Sequence, residues 1–382
     1  MQKCTVGSFG AYSTKKGLGE KMFNRDWNEK LEVITTETLR ERAEKEFDEM
    51  NTLTQSEIMI SIGAGLSGSA IDILCIKGPV RTPQGIEDGS WGNFVRKQFS
   101  KCFPKEKMQK LANTSFCKVT YDAQDNRNTI ILVEGLSTNL HRLLSPGHDP
   151  VLGMVVGVKD ILTGTMTTID TIGNFASQKI PGCEKRKGKD LFESIAKQIV
   201  HLESDVTTSM GLPVPFMVLF NVLQFGNIGE LDKTIAEIVQ EMYKGGYDFI
   251  HFCSLAFPVM VTEVIIRLAY AVERIKKGAS TAEAVPILMP GEHSKLATML
   301  LIGHSVAAAV NAGKVYFTKN PMSINYNQWI RFAQCACKET KWVLFGKKKA
   351  KEDYIENYMI RELDNSYKGI WNGIQRLSPI RI

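Results

Sequence analysis

The sequence predicts a mainly α-helical protein: a helical bundle with glycine-rich, semi-apolar helices and one small β-hairpin. Three observations carry that prediction. Apolar residues recur at three- and four-residue steps through most of the chain, the spacing of one helix face. Several stretches are almost free of charge yet contain Gly, Asn, His or Asp. One segment, residues 166–175, alternates in the β manner around a Gly-Asn turn.

The 382 residues are enough for a large core, and 43% hydrophobic with 23% charged residues is ordinary globular usage. Disordered, collagen-like and staple-dependent classes are excluded. Forty-seven Lys and Arg against 41 Asp and Glu give a net charge of +6, which permits an anionic partner without demanding one. A mean hydropathy of -0.12 excludes a densely membrane-packed transporter but leaves room for a few short or semi-polar spans. The eight cysteines show neither paired CxxC nor CxxC with HxxxH spacing, so no structural zinc site is expected, and Cys4, Cys75 and Cys253 read as ordinary reduced residues. The N-terminus lacks an apolar h-region, so no cleaved secretory signal is expected.

Taken in order, residues 1–25 read as a flexible arm and residues 28–51 as a charge-dense amphipathic helix, with Thr35, Thr36 and Thr38 as caps. Residues 58–76 are apolar or small, with Gly63, Gly65 and Gly68 spaced for close helix approach and Asp72 near the end. Only 14 residues separate Glu57 from Asp72, short of a full span. A break at residues 78–85 precedes a short basic helix at 91–103, and an amphipathic stretch at 127–144 leads into the turn Ser145-Pro-Gly-His148-Asp149-Pro150. Apolar residues 151–164 and the hairpin near 165–177 follow. The basic run Lys185, Arg186, Lys187, Lys189 comes before a helix at 190–207. Residues 206–229 carry no formal charge, but Pro213 and Pro215 make them a broken or re-entrant segment, or a buried loop and helix. A helix at 231–243 stops at Gly245-Gly246, and residues 249–272 are apolar on all sides except Glu263 and Arg267, which are spaced for an ion pair. Residues 296–313 are uncharged, contain His304 and are long enough to span. An amphipathic helix at 329–342, the cluster Lys347, Lys348, Lys349, Lys351 and a helix at 353–377 close the chain.

Catalytic signatures are missing. Gly63-Ala-Gly65-Leu-Ser-Gly68 matches GxGxxG by spacing, but the preceding Ile60-Ser-Ile62 and the later Glu87 or Asp88 are thin support for the strand and acidic residue it needs, and no P-loop or GxSxG is present. His141, His148, His201, His251, His293 and His304 form no HExxH and no two-histidine pair on one helix face. His141, His148 and Asp149 offer a base or metal ligands in principle. The plainer reading of His148 and Asp149 is a turn that satisfies buried backbone groups. No catalytic residue, cofactor or metal is expected.

The stretch Leu140-His-Arg-Leu-Leu-Ser-Pro-Gly-His-Asp-Pro-Val-Leu-Gly, with the following Gly-Val-Lys-Asp-Ile-Leu-Thr-Gly-Thr-Met-Thr, resembles a widespread bacterial family. So do Gly211-Leu-Pro-Val-Pro-Phe, Gly246-Tyr-Asp-Phe-Ile-His, Glu263-Val-Ile-Ile-Arg267-Leu and Met299-Leu-Leu-Ile-Gly-His304. With the glycine-rich segment 62–76 they cover most of residues 57–342 in order. That family looks like the membrane effector subunit of nucleotidyltransferase-linked anti-phage systems of the Hailong type. The resemblance implies an oligomeric ion channel held closed by a single-stranded DNA oligomer and opened on infection, with a companion nucleotidyltransferase.

The resulting expectation is a non-enzymatic homo-oligomer of the bacterial inner membrane, mostly facing the cytoplasm. Its predicted regions are the arm 1–25, an N-terminal helical region 26–145, a core or membrane region 146–342 and a basic helical tail 343–382. Gly63, Gly65, Gly68, Asp72, Glu263, Arg267 and His304 are the candidate packing or pore residues. Lys185, Arg186, Lys187 and Lys189, or Lys347, Lys348, Lys349 and Lys351, are the candidates for gripping nucleic-acid or lipid phosphates. The alternatives are a soluble helical scaffold and a hydrolase or transferase using His148 and Asp149.

Overall fold

The structure is a computed structural model that describes residues 36–122, 133–226, 232–284 and 295–377. The expected arm at 1–25, the start of the helix at 28–51, part of the stretch at 127–144, Cys4 and His293 lie outside the described residues. In chain order the elements are α1 (Thr36–Asn51), α2 (Gln55–Cys75), β1 (Val80–Thr82), β2 (Gly85–Glu87), α3 (Ser90–Cys102), α4 (Lys105–Ala112) and α5 (His141–Leu144). They continue with α6 (Val156–Thr163), β3 (Thr165–Ile169), β4 (Phe175–Lys179), α7 (Leu191–Asp205), α8 (Ile235–Gly245) and α9 (Phe249–Lys276). The last four are α10 (Thr281–Ala284), α11 (Lys295–Thr318), α12 (Tyr326–Lys341) and α13 (Lys347–Leu377). The fold is mainly α, as the hydrophobic periodicity predicts.

The described residues divide into two units, one of residues 36–52 with 343–377 and the other within residues 53–342. In the first, α1 packs on α13. Leu39, Ala43 and Phe47 recur at helical spacing on the buried face of α1, and Phe47 meets Tyr354 with ring centroids 5.7 Å apart.

The second unit holds two regions. α2, α9, α11 and α12 pack on one another around Ala64, Ile266, Leu296, Met299, Leu300 and Cys335. α2 starts at Thr54, whose hydroxyl accepts the Glu57 amide while the Glu57 carboxylate accepts the Thr54 amide, a reciprocal cap. α9 starts at Asp248, which accepts the His251 amide. The other region gathers α5–α8, the hairpin and the loops between them over Tyr121, Leu143, Leu144, Ile161, Met166 and Tyr243, each fully buried. Burying such an apolar side chain contributes about 1.5–3 kcal/mol.

β3 and β4 pair antiparallel, Thr165 opposite Lys179 and Ile169 opposite Phe175, at the expected hairpin. A second antiparallel pair, β1–β2, occupies residues 80–87, where the sequence reads as a simple break. Thr82-Pro-Gln-Gly85 closes it: Gly85 takes a φ of 142° and the Thr82 hydroxyl donates to its carbonyl. Of the uncharged stretch 206–229, residues 206–226 form no spanning helix. They make a loop and one 3-10 helix, Met217–Val222, with Val206, Leu212, Val214, Met217 and Val218 buried.

Candidate functional site

Among the described residues, three helices are long and apolar enough to cross a membrane: α9, α11 and the stretch Thr36–Cys75, whose apolar part is α2. Their packing depends on small residues. A Cβ on Gly65 would collide with the Gly303 carbonyl of α11, and one on Gly68 with the Thr262 hydroxyl and Pro258 carbonyl of α9. Gly63 differs from its expected packing role, because a Cβ there meets nothing within 4 Å.

Several ionisable residues of these helices turn inward. Asp72, 5% exposed, accepts from Asn311 and Asn325 at 3.0 Å each and pairs with Lys314 at 3.0 Å. Glu263 pairs with Arg267 at 3.0 Å on its own helix and with Arg331 of α12, and His304 Nε2 stands 3.7 Å away. Glu57 is buried beside Lys295 at 3.4 Å. Outside, Met59, Leu66, Ile73 and Leu74 of α2 and Met260, Val264, Leu268 and Val272 of α9 are exposed. This is the reverse of a soluble surface helix: the apolar side faces out and the ionisable groups face in.

The two basic runs differ in setting. Lys185, Lys187 and Lys189 are exposed around the 3-10 turn Glu184–Arg186, while the Arg186 guanidinium donates to the Asp122 carbonyl. Lys347, Lys348 and Lys349 are exposed on the first turn of α13, but Lys351 is engaged with Asp48 at 3.1 Å and Glu44 at 3.6 Å.

At the Pro-flanked turn, His148 and Asp149 have separate partners. Asp149 accepts the amides of Val151, Leu152 and Phe216, so it closes the turn, and burial outweighs these bonds to raise its carboxyl above the ordinary value. His148 instead hydrogen-bonds Asp205 at the end of α7, 3.2 Å from Nδ1. His141 and His201 have rings 5.3 and 5.1 Å from that of His148. Asp122, His141 and His148 each bring a ligand-type atom within 4.8 Å of the other two, and so do His148, His201 and Asp205. Burial holds His148 down to about 4 despite Asp205. It opposes the charge on His201 as well, but the Asp205 carboxylate outweighs it and lifts that ring to about 9. Asp205 ionises well below the usual range, because Arg142 at 2.8 Å and His201 overcome its burial. Three of the six histidines, unrelated by spacing, thus converge in space. Of this cluster the sequence points to His141 and His148 on either side of the turn; Asp122, His201 and Asp205 carry no local signal.

Elsewhere, α8 and residues 315–329 border an apolar cavity of about 820 Å³ lined by Met217, Val239, Met242, Tyr316, Phe317 and Trp329, among others. No protein-family model, curated protein or solved structure is significantly similar to the chain.

Proposed function

We propose that the protein is a membrane-embedded homo-oligomer that forms or gates an ion-conducting pore, acting as an anti-phage effector held inactive by a single-stranded DNA oligomer. One observation carries the membrane part: α2 and α9 expose apolar faces while Asp72, Lys314, Glu263, Arg267 and Arg331 pair inside the bundle. Ionisable groups placed within membrane helices face the bundle interior or a water-filled path, and they mark ion pathways. The DNA part has its support in the resemblance and in Lys185, Lys187 and Lys189, whose exposed ammonium groups suit a phosphate chain. A companion nucleotidyltransferase would supply that oligomer, and the working site is the inner membrane with most of the chain on the cytoplasmic side. A hydrolase or transferase built on His148 and Asp149 has less support, since Asp149 is spent on backbone amides and His148 is fully buried.

The test is partition followed by conductance. Untagged protein expressed at low level is expected to stay in membranes washed with alkaline carbonate and to conduct in planar bilayers, with short single-stranded DNA suppressing the current. Neutralising Lys185, Lys187 and Lys189 together is expected to abolish the suppression without removing the current. Complete release by carbonate overturns the embedded pore, and a current indifferent to DNA overturns the gating.

A further inference from the structure

We propose that His141, His148, His201 and Asp122 bind one divalent transition-metal ion of the zinc class, a structural site that joins the Pro-flanked turn to α7. The starting point is a set of unsatisfied atoms. Nε2 of His141, His148 and His201 and Oδ1 of Asp122 are all buried without a hydrogen-bond partner. The three imidazoles are 4%, 0% and 3% exposed. One buried polar atom left unpaired costs about 1–3 kcal/mol, so four gathered around His148 call for an occupant.

The second ring nitrogen of each histidine defines what kind. His141 Nδ1 donates to the Thr138 carbonyl at 2.9 Å, His201 Nδ1 to the Cys117 carbonyl at 3.0 Å and His148 Nδ1 to the Asp205 carboxylate at 3.2 Å. With Nδ1 donating, Nε2 is the nitrogen left to coordinate, as in metal-ligating histidines, and the ion displaces any proton held there. Asp205 is fixed in turn by Arg142. It acts as a positioning residue for His148 and, 3.5 Å from His201 Nε2, flanks the ligand set.

Geometry and donor chemistry agree. The Asp122 Oδ1 to His141 Nε2 distance is 3.9 Å; Asp122, His141 and His148 fall within 4.8 Å of one another, and His201 adjoins them through His148, with which it and Asp205 form the second trio. Tetrahedral coordination at about 2.0–2.2 Å brings ligand atoms to about 3.3–3.5 Å apart, so binding draws the Asp122, His141 and His148 atoms together and turns the His201 ring in toward them. Imidazole with one carboxylate suits Zn²⁺ and its neighbours rather than Ca²⁺ or Mg²⁺, which take oxygen ligands. Four protein ligands with buried donor atoms leave no open position for substrate, so the ion is structural. The carboxylates of Asp122 and Asp205 offset its charge. His251 and His304 also have a buried, unpartnered Nε2, but among the described residues neither belongs to such a grouping.

The experiment is metal analysis of the full-length protein purified without chelator. About one equivalent of zinc per chain is expected, falling below roughly a tenth of that in His148→Gln and His201→Gln, while His251→Gln keeps it. If the ligand variants do not fold, the wild type still decides. Replacement of its metal by Co²⁺ is expected to give intense visible absorption from a four-coordinate site. Wild-type protein free of transition metal even after dialysis against Zn²⁺ overturns the site. So does zinc retained in both ligand variants, and about two equivalents overturn the single-ion assignment.

Discussion

Three glycines that look alike in sequence have different work at the residue scale. Gly68 sits where a methyl group would run into the Thr262 hydroxyl and Pro258 carbonyl, whereas Gly63 faces open space. Gly68→Ala is therefore expected to lose about 1–3 kcal/mol through overpacking against backbone. Gly63→Ala is expected to gain up to about 1 kcal/mol from helix propensity. Unfolding midpoints of the two variants in detergent check this, and equal shifts would contradict the close α2–α9 approach. Asp88 supplies a pH dependence. Its carboxylate, 1% exposed, hydrogen-bonds His251 Nδ1 at 2.8 Å and pairs with Arg96, which bridges to Asp248 at 2.8 Å. Burial raises its pKa, but His251 and Arg96 overcome this and hold it below the ordinary carboxyl value. A depressed carboxylate contributes stability that is present above the unfolded value and lost as pH falls through the folded one. Asp88→Asn is expected to cost about 2 kcal/mol at neutral pH, with the gap from wild type closing below about pH 4. Unfolding titrations of both proteins across that range give the answer, and a gap constant with pH would refute it.

Helices are legible in the sequence when their own residues specify both face and ends. Asp190 caps the start of α7 and Gly246, whose φ of 109° suits only glycine there, caps the end of α8, and both boundaries are readable within a few residues. α2 was harder. Glu57 and Asp72 look like charged limits on a 14-residue apolar segment, yet α2 runs from Gln55 to Cys75 through both. The reason is tertiary: Glu57 closes the N-terminal cap and faces Lys295, while Asp72 meets Asn311, Lys314 and Asn325, more than 230 positions away. Pairing across the fold lets a charge sit inside an apolar helix, and local spacing holds no trace of it. The histidine cluster has the same logic. His148 stood out beside its prolines, but His201 and Asp205 come from the far end of α7 and Asp122 from a loop, so only folding assembles them. The β1–β2 pair was missed for another reason: three-residue strands are too short for alternation to register.

Across residues 53–342, buried charge and exposed apolar surface have a common explanation if the medium around the helices is lipid. In water, Met260 at 59% exposure and its neighbours on α9 would form an unprotected patch; in a bilayer they are the preferred surface. Arginine placed there discriminates between the two media. Met260 lies near the middle of α9, so Met260→Arg is expected to cost about 3 kcal/mol in lipid, seen as loss of the carbonate-resistant fraction. The control is Ile172→Arg in the β3–β4 turn, 58% exposed and outside the three apolar helices, which is expected to leave partition unchanged. In water both changes would be nearly neutral, within about 0.5 kcal/mol. A carbonate-resistant Met260→Arg protein would therefore mean that this face of α9 meets water or a protein neighbour rather than acyl chains, and the inward charges would then need a different account.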